Sequence, residues 1–207
     1  MGEDIVCGDG MTATVRHALV SVMRQVVPAM FKSQQPWALM GSAASVLQGL
    51  DGYSPPDIDL VTTMEGAYIM AGSVAACGAT VRPVSYSVSP PYESHFGIFE
   101  VEGVKVEVMG NLIIRCADGM INASDHFARW SDKVRVVHFE GFHIPLVRLE
   151  WQLVANVLLQ RPERSTGVAD LLLKRGFDRP YLDALLEDRQ NGERTIATVR
   201  KMLNLDA

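Results

Sequence analysis

Cysteine is scarce in this chain: three in 207 residues, Cys7, Cys77 and Cys116, with no CxxC spacing. That excludes a disulfide framework and a cysteine-rich zinc site, and it fits a reducing cytoplasm. Surplus positive charge is missing too. Nineteen Lys and Arg stand against 24 Asp and Glu, a net charge of -5, whereas a wide electrostatic grip on nucleic acid needs the opposite sign. No apolar run escapes interruption by Arg, Gln or Lys for long enough to span a bilayer. The opening MGEDIVCGDG is acidic where a signal peptide would be basic. The expectation is a cytoplasmic chain with no membrane partner. Histidine spacing of the HExxH kind is also lacking, so His17, His95, His126, His138 and His143 read as structural or surface groups. No cysteine has a base beside it, which leaves a thiol nucleophile unsupported.

What is present is ordinary globular material, 48% hydrophobic and 21% charged. The length suits one compact domain with a short extension, at ~150 residues per domain. From Met11 to Lys32, Val15, Leu19, Val22, Met23, Val26 and Met30 recur at three- and four-residue steps, which predicts an amphipathic helix. Pro28 is expected to kink or end it. Trp37–Met40 reads as a buried strand stopped by Gly41, and Ser42 as the N-cap of a short helix to Leu50. Asp51–Pro56 is a loop, Asp57–Thr63 a strand, and Met64–Cys77 a helix weakened at Gly72. Thr80–Ser87, His95–Val101 and Val104–Met109 are β-rich, the last two forming a hairpin across Glu102-Gly103. Lys133–Phe139 and Phe142–Ile144 form a second hairpin across Glu140-Gly141, with His138 and His143 facing each other as a cross-strand pair. Pro145 reads as a helix start, and everything beyond it is helical in pattern. The expected organisation is an α+β core over 1–144 and a helical subdomain over 145–207 packed on it.

The chemistry lies in the order of three elements. Residues i and i+2 of a strand share a face, so Asp57 and Asp59 stand side by side while Ile58 and Leu60 face the core. Two carboxylates so close repel unless a cation sits with them, and a hard divalent ion, Mg2+ above all, suits oxygen donors. Val104, Val106 and Val108 form the buried face of a second strand and put Lys105 and Glu107 on the other. If the strands are neighbours, Glu107 is a third carboxylate. The Gly41-Ser42 turn opening a helix suits a triphosphate. Each element has a bland reading alone: a solvated strand start, a commonplace helix start, and a Glu107 that pairs with Lys105. Their order favours the functional one.

The run Trp37–Gly49, with Gly41-Ser42 inside it, followed by Pro56-Asp57-Ile58-Asp59-Leu60, resembles the signature of the nucleotidyltransferase superfamily related to DNA polymerase β. More narrowly it is similar to the small prokaryotic members, among them antibiotic adenylyltransferases and AbiEii-type toxins. The resemblance covers roughly residues 37–175. It implies a mixed β-sheet flanked by helices, Gly41 and Ser42 binding a nucleoside triphosphate, and Asp57, Asp59 and Glu107 binding Mg2+. Two departures stand out. Asp51–Pro56 is an apparent insertion, and Asn156 takes the place where many relatives carry a lysine about five residues before the Arg161-Pro162 pair. If that lysine contacts triphosphate in relatives, Arg161 or Arg164 is the substitute here.

The expected activity is transfer of a nucleoside monophosphate from an NTP to an acceptor hydroxyl, with release of pyrophosphate. Glu150 is a candidate general base on that hydroxyl, although a helix-start acid also suits the dipole. The acceptor is open: a small molecule, a protein, or an RNA end such as that of tRNA, met by Arg161, Arg164, Lys174 and Arg175. The Ser-Pro-Pro-Tyr stretch within 83–95 is loop-like and placed for acceptor contact. The competing expectation is a non-catalytic module of the same fold, for instance half of a toxin–antitoxin pair.

Overall fold

The computed structural model describes residues 10–123, 134–187 and 190–205. Cys7 and His126 lie outside them. Strands β1 (Trp37–Met40), β2 (Asp57–Thr62), β3 (Ala79–Ser89), β4 (Tyr92–Val101), β5 (Val104–Cys116), β6 (Gly119–Asn122), β7 (Val134–Phe139) and β8 (Phe142–Val147) form one mixed sheet. The order is β3-β4-β5-β2-β1-β8-β7, with β6 beside β5. Seven helices flank it among the described residues: α1 (Ala13–Ser33), α2 (Gly41–Leu47), α3 (Met64–Ala75), α4 (Leu149–Leu158), α5 (Pro162–Arg175), α6 (Arg179–Leu186) and α7 (Glu193–Met202). The expected α+β class holds. No described helix is long and apolar enough to cross a membrane.

Alternation along the strands divides the core in two. Leu39, Ile58, Leu60, Val106 and Val108 are buried on the face covered by α1, α2 and α3. Ala38, Val61 and Met109 point the other way and are buried under the C-terminal helices. Leu60 is fully buried at the centre of the first layer, so Leu60→Ala is expected to cost about 2–5 kcal/mol, read as a lowered denaturation midpoint.

Every apolar position foreseen for α1 is buried. Pro28, however, neither ends the helix nor interrupts its assignment. It lies on the exposed side, where the Arg24 carbonyl it deprives of a partner can meet water, while Val26 and Met30 anchor the helix to the sheet. Gly72 does not break α3. Helix α2 starts at Gly41 with Met40 as the cap residue, so Ser42 is a buried first-turn residue and not the N-cap.

Both two-residue hairpins are present. Glu102-Gly103 (φ +52°, +75°) and Glu140-Gly141 (φ +48°, +84°) have positive φ at both positions, the twist that matches paired strands. His138 opposes His143, with ring centroids 5.4 Å apart. Two boundaries move. Pro145 does not start a helix: β8 continues to Val147, because Ile144 and Leu146 keep the strand's alternate burial and Leu146 pairs with Leu39 of β1. The stretch read as a loop within 83–95 is mostly a β3–β4 hairpin with its turn at Pro90-Pro91.

Candidate active site

Parallel pairing of β2 with β5 sets Asp57 opposite Lys105 and Asp59 opposite Glu107. The three acids therefore share one sheet face. It is the face that Val61 and Met109 occupy further along, so the carboxylates stand where the C-terminal helices stop covering the sheet. A cleft of about 580 Å³ opens there. Its walls include Asp57, Asp59, Glu107, Gly41 and Ser42. Five of the six candidate residues thus share one cavity.

Gly41 explains part of this arrangement. Its φ is +69°, and an added Cβ would lie 2.2 Å from Asp59 Oδ2. A side chain would be strained by its backbone and would strike the carboxylate. A buried polar network fixes the helix behind this turn. Ser45 Oγ lies 3.1 Å from both the Gly41 carbonyl and Gln152 Oε1, and Gln152 Nε2 donates to the Val147 carbonyl at 3.0 Å. Gln48 Nε2 donates to that same carbonyl at 3.0 Å, so α2 is tied to the base of α4.

Lys105, expected as a partner of Glu107, is the counter-charge for acids of both strands. Its Nζ lies 3.0 Å from Asp57 Oδ2 and 2.7 Å from Glu107 Oε1. Partial burial works against its charge, yet Glu107 and Asp57 hold the ammonium protonated well above the usual lysine range. Among the described residues Asp59 has no direct ion pair, although the Lys105 charge acts on it from further off. Burial, then Asp57 and Glu107, push its carboxyl well above the ordinary aspartate value. Three carboxylates against one ammonium leave an excess of two negative charges. An all-oxygen donor set with that excess suits a hard divalent cation. Among the described residues no group of three His, Cys, Asp or Glu side chains is set at metal-holding spacing, and Lys105 stands between Asp57 and Glu107.

Glu150 is not part of this site. Its side chain is buried in α4, accepts the Asp178 N–H at 2.9 Å and lies 3.4 Å from Arg148 Nη2. Glu150 does not line the cleft, and its Oε1 is engaged at the start of α6, so the structure does not bring this candidate general base to the three acids. Glu150→Gln is expected to leave turnover within about threefold while lowering stability by about 1–3 kcal/mol. A general base would instead cost roughly 10²–10⁴ in turnover, which steady-state kinetics distinguishes.

The cleft also holds Arg161 and Arg164, the expected substitutes for the missing lysine, together with Tyr53, Tyr92 and Arg82, which carry no motif of their own. Arg161 Nη2 donates to Tyr92 Oη at 2.6 Å, and Arg164 Nη2 to Tyr53 Oη at 2.8 Å. These bonds tie the first turn of α5 to β4 and to the Asp51–Pro56 loop. Asn156 lines the same cavity as both arginines, so cations are present where the expected lysine is missing. Arg175 is occupied elsewhere, donating to the Gln48 carbonyl. Arg82 of β3 completes the set: its guanidinium lies over the Phe96 ring at 5.3 Å and bonds Ser87 Oγ at 3.1 Å. Tyr53, Arg82 and Tyr92 carry no spacing signal, and only the fold brings them to Arg161 and Arg164.

No curated protein sequence matches the chain. Among solved structures it is similar to the provisionally named nucleotidyltransferase TM1012 of Thermotoga maritima, with 27% identity over 77% of this chain and 96% of that one, at a TM-score of 0.58. Looser overlaps include ANT(2'')-Ia in complex with adenylyl-2''-tobramycin (11% identity, 88% of this chain and 97% of that one, TM-score 0.48). Another is the antigenic nucleotidyltransferase-like protein of Paracoccidioides brasiliensis (15%, 89% and 92%, 0.45). The family match runs from residue 22 to residue 156, through the glycine–serine turn and all three acids. The chain belongs to the aminoglycoside-2''-adenylyltransferase family, and with it to the nucleotidyltransferases.

Proposed function

We propose that this nucleotidyltransferase moves a nucleoside monophosphate from an NTP to a hydroxyl of a small acceptor, with Asp57, Asp59 and Glu107 as its Mg2+ ligands. The observation carrying this reading is the convergence of three carboxylates on one sheet face beside the Gly41 turn. Bound there, Mg2+ would supply charge neutralisation for the triphosphate.

The chain's own residues do the positioning. Gly41 and Ser42 seat the phosphates at the end of β1, and Arg161 and Arg164 meet them from α5. The acceptor oxygen forms its bond to the α-phosphorus as the bond to the bridging α–β oxygen breaks. Pyrophosphate leaves with that electron pair, and the acceptor's proton is lost to solvent. The non-catalytic alternative rests on Asn156 and the long Asp51–Pro56 loop, and the two arginines that line the cavity with Asn156 weaken the first of these grounds.

Calorimetric titration with ATP, with and without Mg2+, tests the reading. The expected result is saturable binding tightened at least tenfold by Mg2+. No binding at millimolar nucleotide under either condition contradicts it.

A further inference from the structure

We propose that the outer edge of β3 pairs with β3 of a second copy of this chain, antiparallel about a two-fold axis at Tyr86, so that two sheets join into one. The proposal concerns the rim of the sheet and stands without the transfer reading above. Three observations carry it.

The first is an open edge whose protection stops halfway. β3 ends the strand order, and among the described residues no strand pairs with its outer side. Natural sheets blunt such edges with charge, proline and bulges. The first half of β3 has all three: Arg82, Pro83 and two shifts of register against β4 between Thr80 and Ser85. From Ser85 to Ser89 the ladder with β4 is regular, and this half carries neither proline nor a charged residue. Tyr86 and Val88 are each 60% exposed there. The opposite edge strand, β7, keeps Arg135 and His138 within it.

The second is self-complementarity, which selects the occupant. Val84-Ser85-Tyr86-Ser87-Val88 reads the same in both directions. A two-fold contact brings the same patch of two copies together, and an antiparallel palindrome meets its own pattern. With Tyr86 opposite the partner's Tyr86, Val84 meets the partner's Val88 and Ser85 meets the partner's Ser87. Apolar then faces apolar and hydroxyl faces hydroxyl at every pair. A slip of one residue sets valine against serine throughout, so the pattern also fixes the register.

The third is charge and anchoring. Each chain has a net charge of -5, so two copies repel unless they meet where charge is absent. The stretch 83–90 contains no Lys, Arg, Asp or Glu. Arg82 falls opposite the partner's Pro90, which leaves the two arginines about 26 Å apart along the strands. At the axis Tyr86 is already held. Its Oη donates to Glu93 Oε1 at 2.9 Å, and its ring lies 5.5 Å from the His95 ring. Tyr68 of α3 secures that ring in turn, with its Oη 3.2 Å from His95 Nδ1. An exposed aromatic fixed in this way has little freedom left to lose on contact. Five residues a side is well below the roughly 20–30 of a stable interface, so the dimer is weak and concentration-dependent.

The test is sedimentation velocity on the full chain from about 5 to 500 µM, where so small a contact associates. The wild type is expected to pass from monomer to dimer as concentration rises. Tyr86→Lys and Tyr86→Glu each set like charges opposite one another at the axis. Each is expected to dimerise at least tenfold more weakly alone, and the two are expected to recover dimer when mixed. Val88→Lys, clear of the His95 cluster, is expected to weaken association at least fivefold and keeps the test open if a Tyr86 variant folds poorly by circular dichroism. Val136→Lys, on the exposed β7 edge, is expected to dimerise like the wild type. A wild type monomeric throughout overturns the proposal and leaves the edge to some other strand. Undiminished dimer in Tyr86→Lys or Val88→Lys, no recovery on mixing, or equal loss in Val136→Lys overturns it too, because the contact then lies elsewhere.

Discussion

Asp59→Asn is expected to lower nucleotidyl transfer by at least about 10³-fold, the scale of losing several kcal/mol of charge stabilisation at the transferring phosphoryl. The same substitution is expected to stabilise the metal-free protein. Burial, and after it the crowding by Asp57 and Glu107, raises the Asp59 pKa, and the Lys105 charge offsets this only in part. A raised carboxyl pKa means that the folded state holds the proton more tightly than the unfolded one. Stability is therefore lost as pH rises from the ordinary aspartate value of 3.8 through the folded value. Asparagine keeps the shape and removes that loss. A gain on the order of 1 kcal/mol shows as about 2–4 °C in Tm for a chain of this size. The gain should grow from pH 4 towards neutrality without divalent metal, and shrink when Mg2+ is added. Thermal denaturation with EDTA and with Mg2+, beside a steady-state transfer assay, reads both halves. A variant that loses activity and also loses stability at neutral pH would point to a structural Asp59.

Gly41→Ala is expected to have the largest combined effect on binding and stability. The alanine would take on a left-handed φ, costing roughly 1–2 kcal/mol, and its Cβ would fall 2.2 Å from Asp59 Oδ2. Either the turn or the carboxylate must move. A displacement of about 1 Å at a positioned site costs on the order of 10²-fold, so nucleotide affinity should fall at least that far. Gly141→Ala separates the two contributions. Its φ of +84° imposes a comparable backbone cost, but nothing lies within 4 Å of the added carbon, and its hairpin is outside the cleft. Calorimetry is expected to show full nucleotide binding in Gly141→Ala and at least a hundredfold loss in Gly41→Ala.

The legible part of this protein was the part written in short periods. Alternation in Asp57–Thr62 and Val104–Met109 placed each acid on a face, and Glu102-Gly103 and Glu140-Gly141 placed two turns. What escaped depended on neighbours distant in sequence. Pro145 suits a helix start by itself, but Leu146 is claimed by β1 at Leu39. Pro28 reads as a break until its exposed side of α1 is known. Glu150 looks available at a helix start, yet the N–H of Asp178 takes it. Lys105 was visible beside Glu107, whereas its role between two strands' carboxylates required the β2–β5 register. Arg82 belongs to the site only because the sheet order is β3-β4-β5-β2.

The most direct measurement is a crystal structure with a non-hydrolysable NTP and Mg2+. The expected result is metal density among Asp57, Asp59 and Glu107, the triphosphate against Gly41 and Ser42, and the Lys105 ammonium drawn away from at least one of its two carboxylates. Nucleotide bound elsewhere, with Lys105 still bridging Asp57 and Glu107 and no metal beside Asp59, would contradict the account.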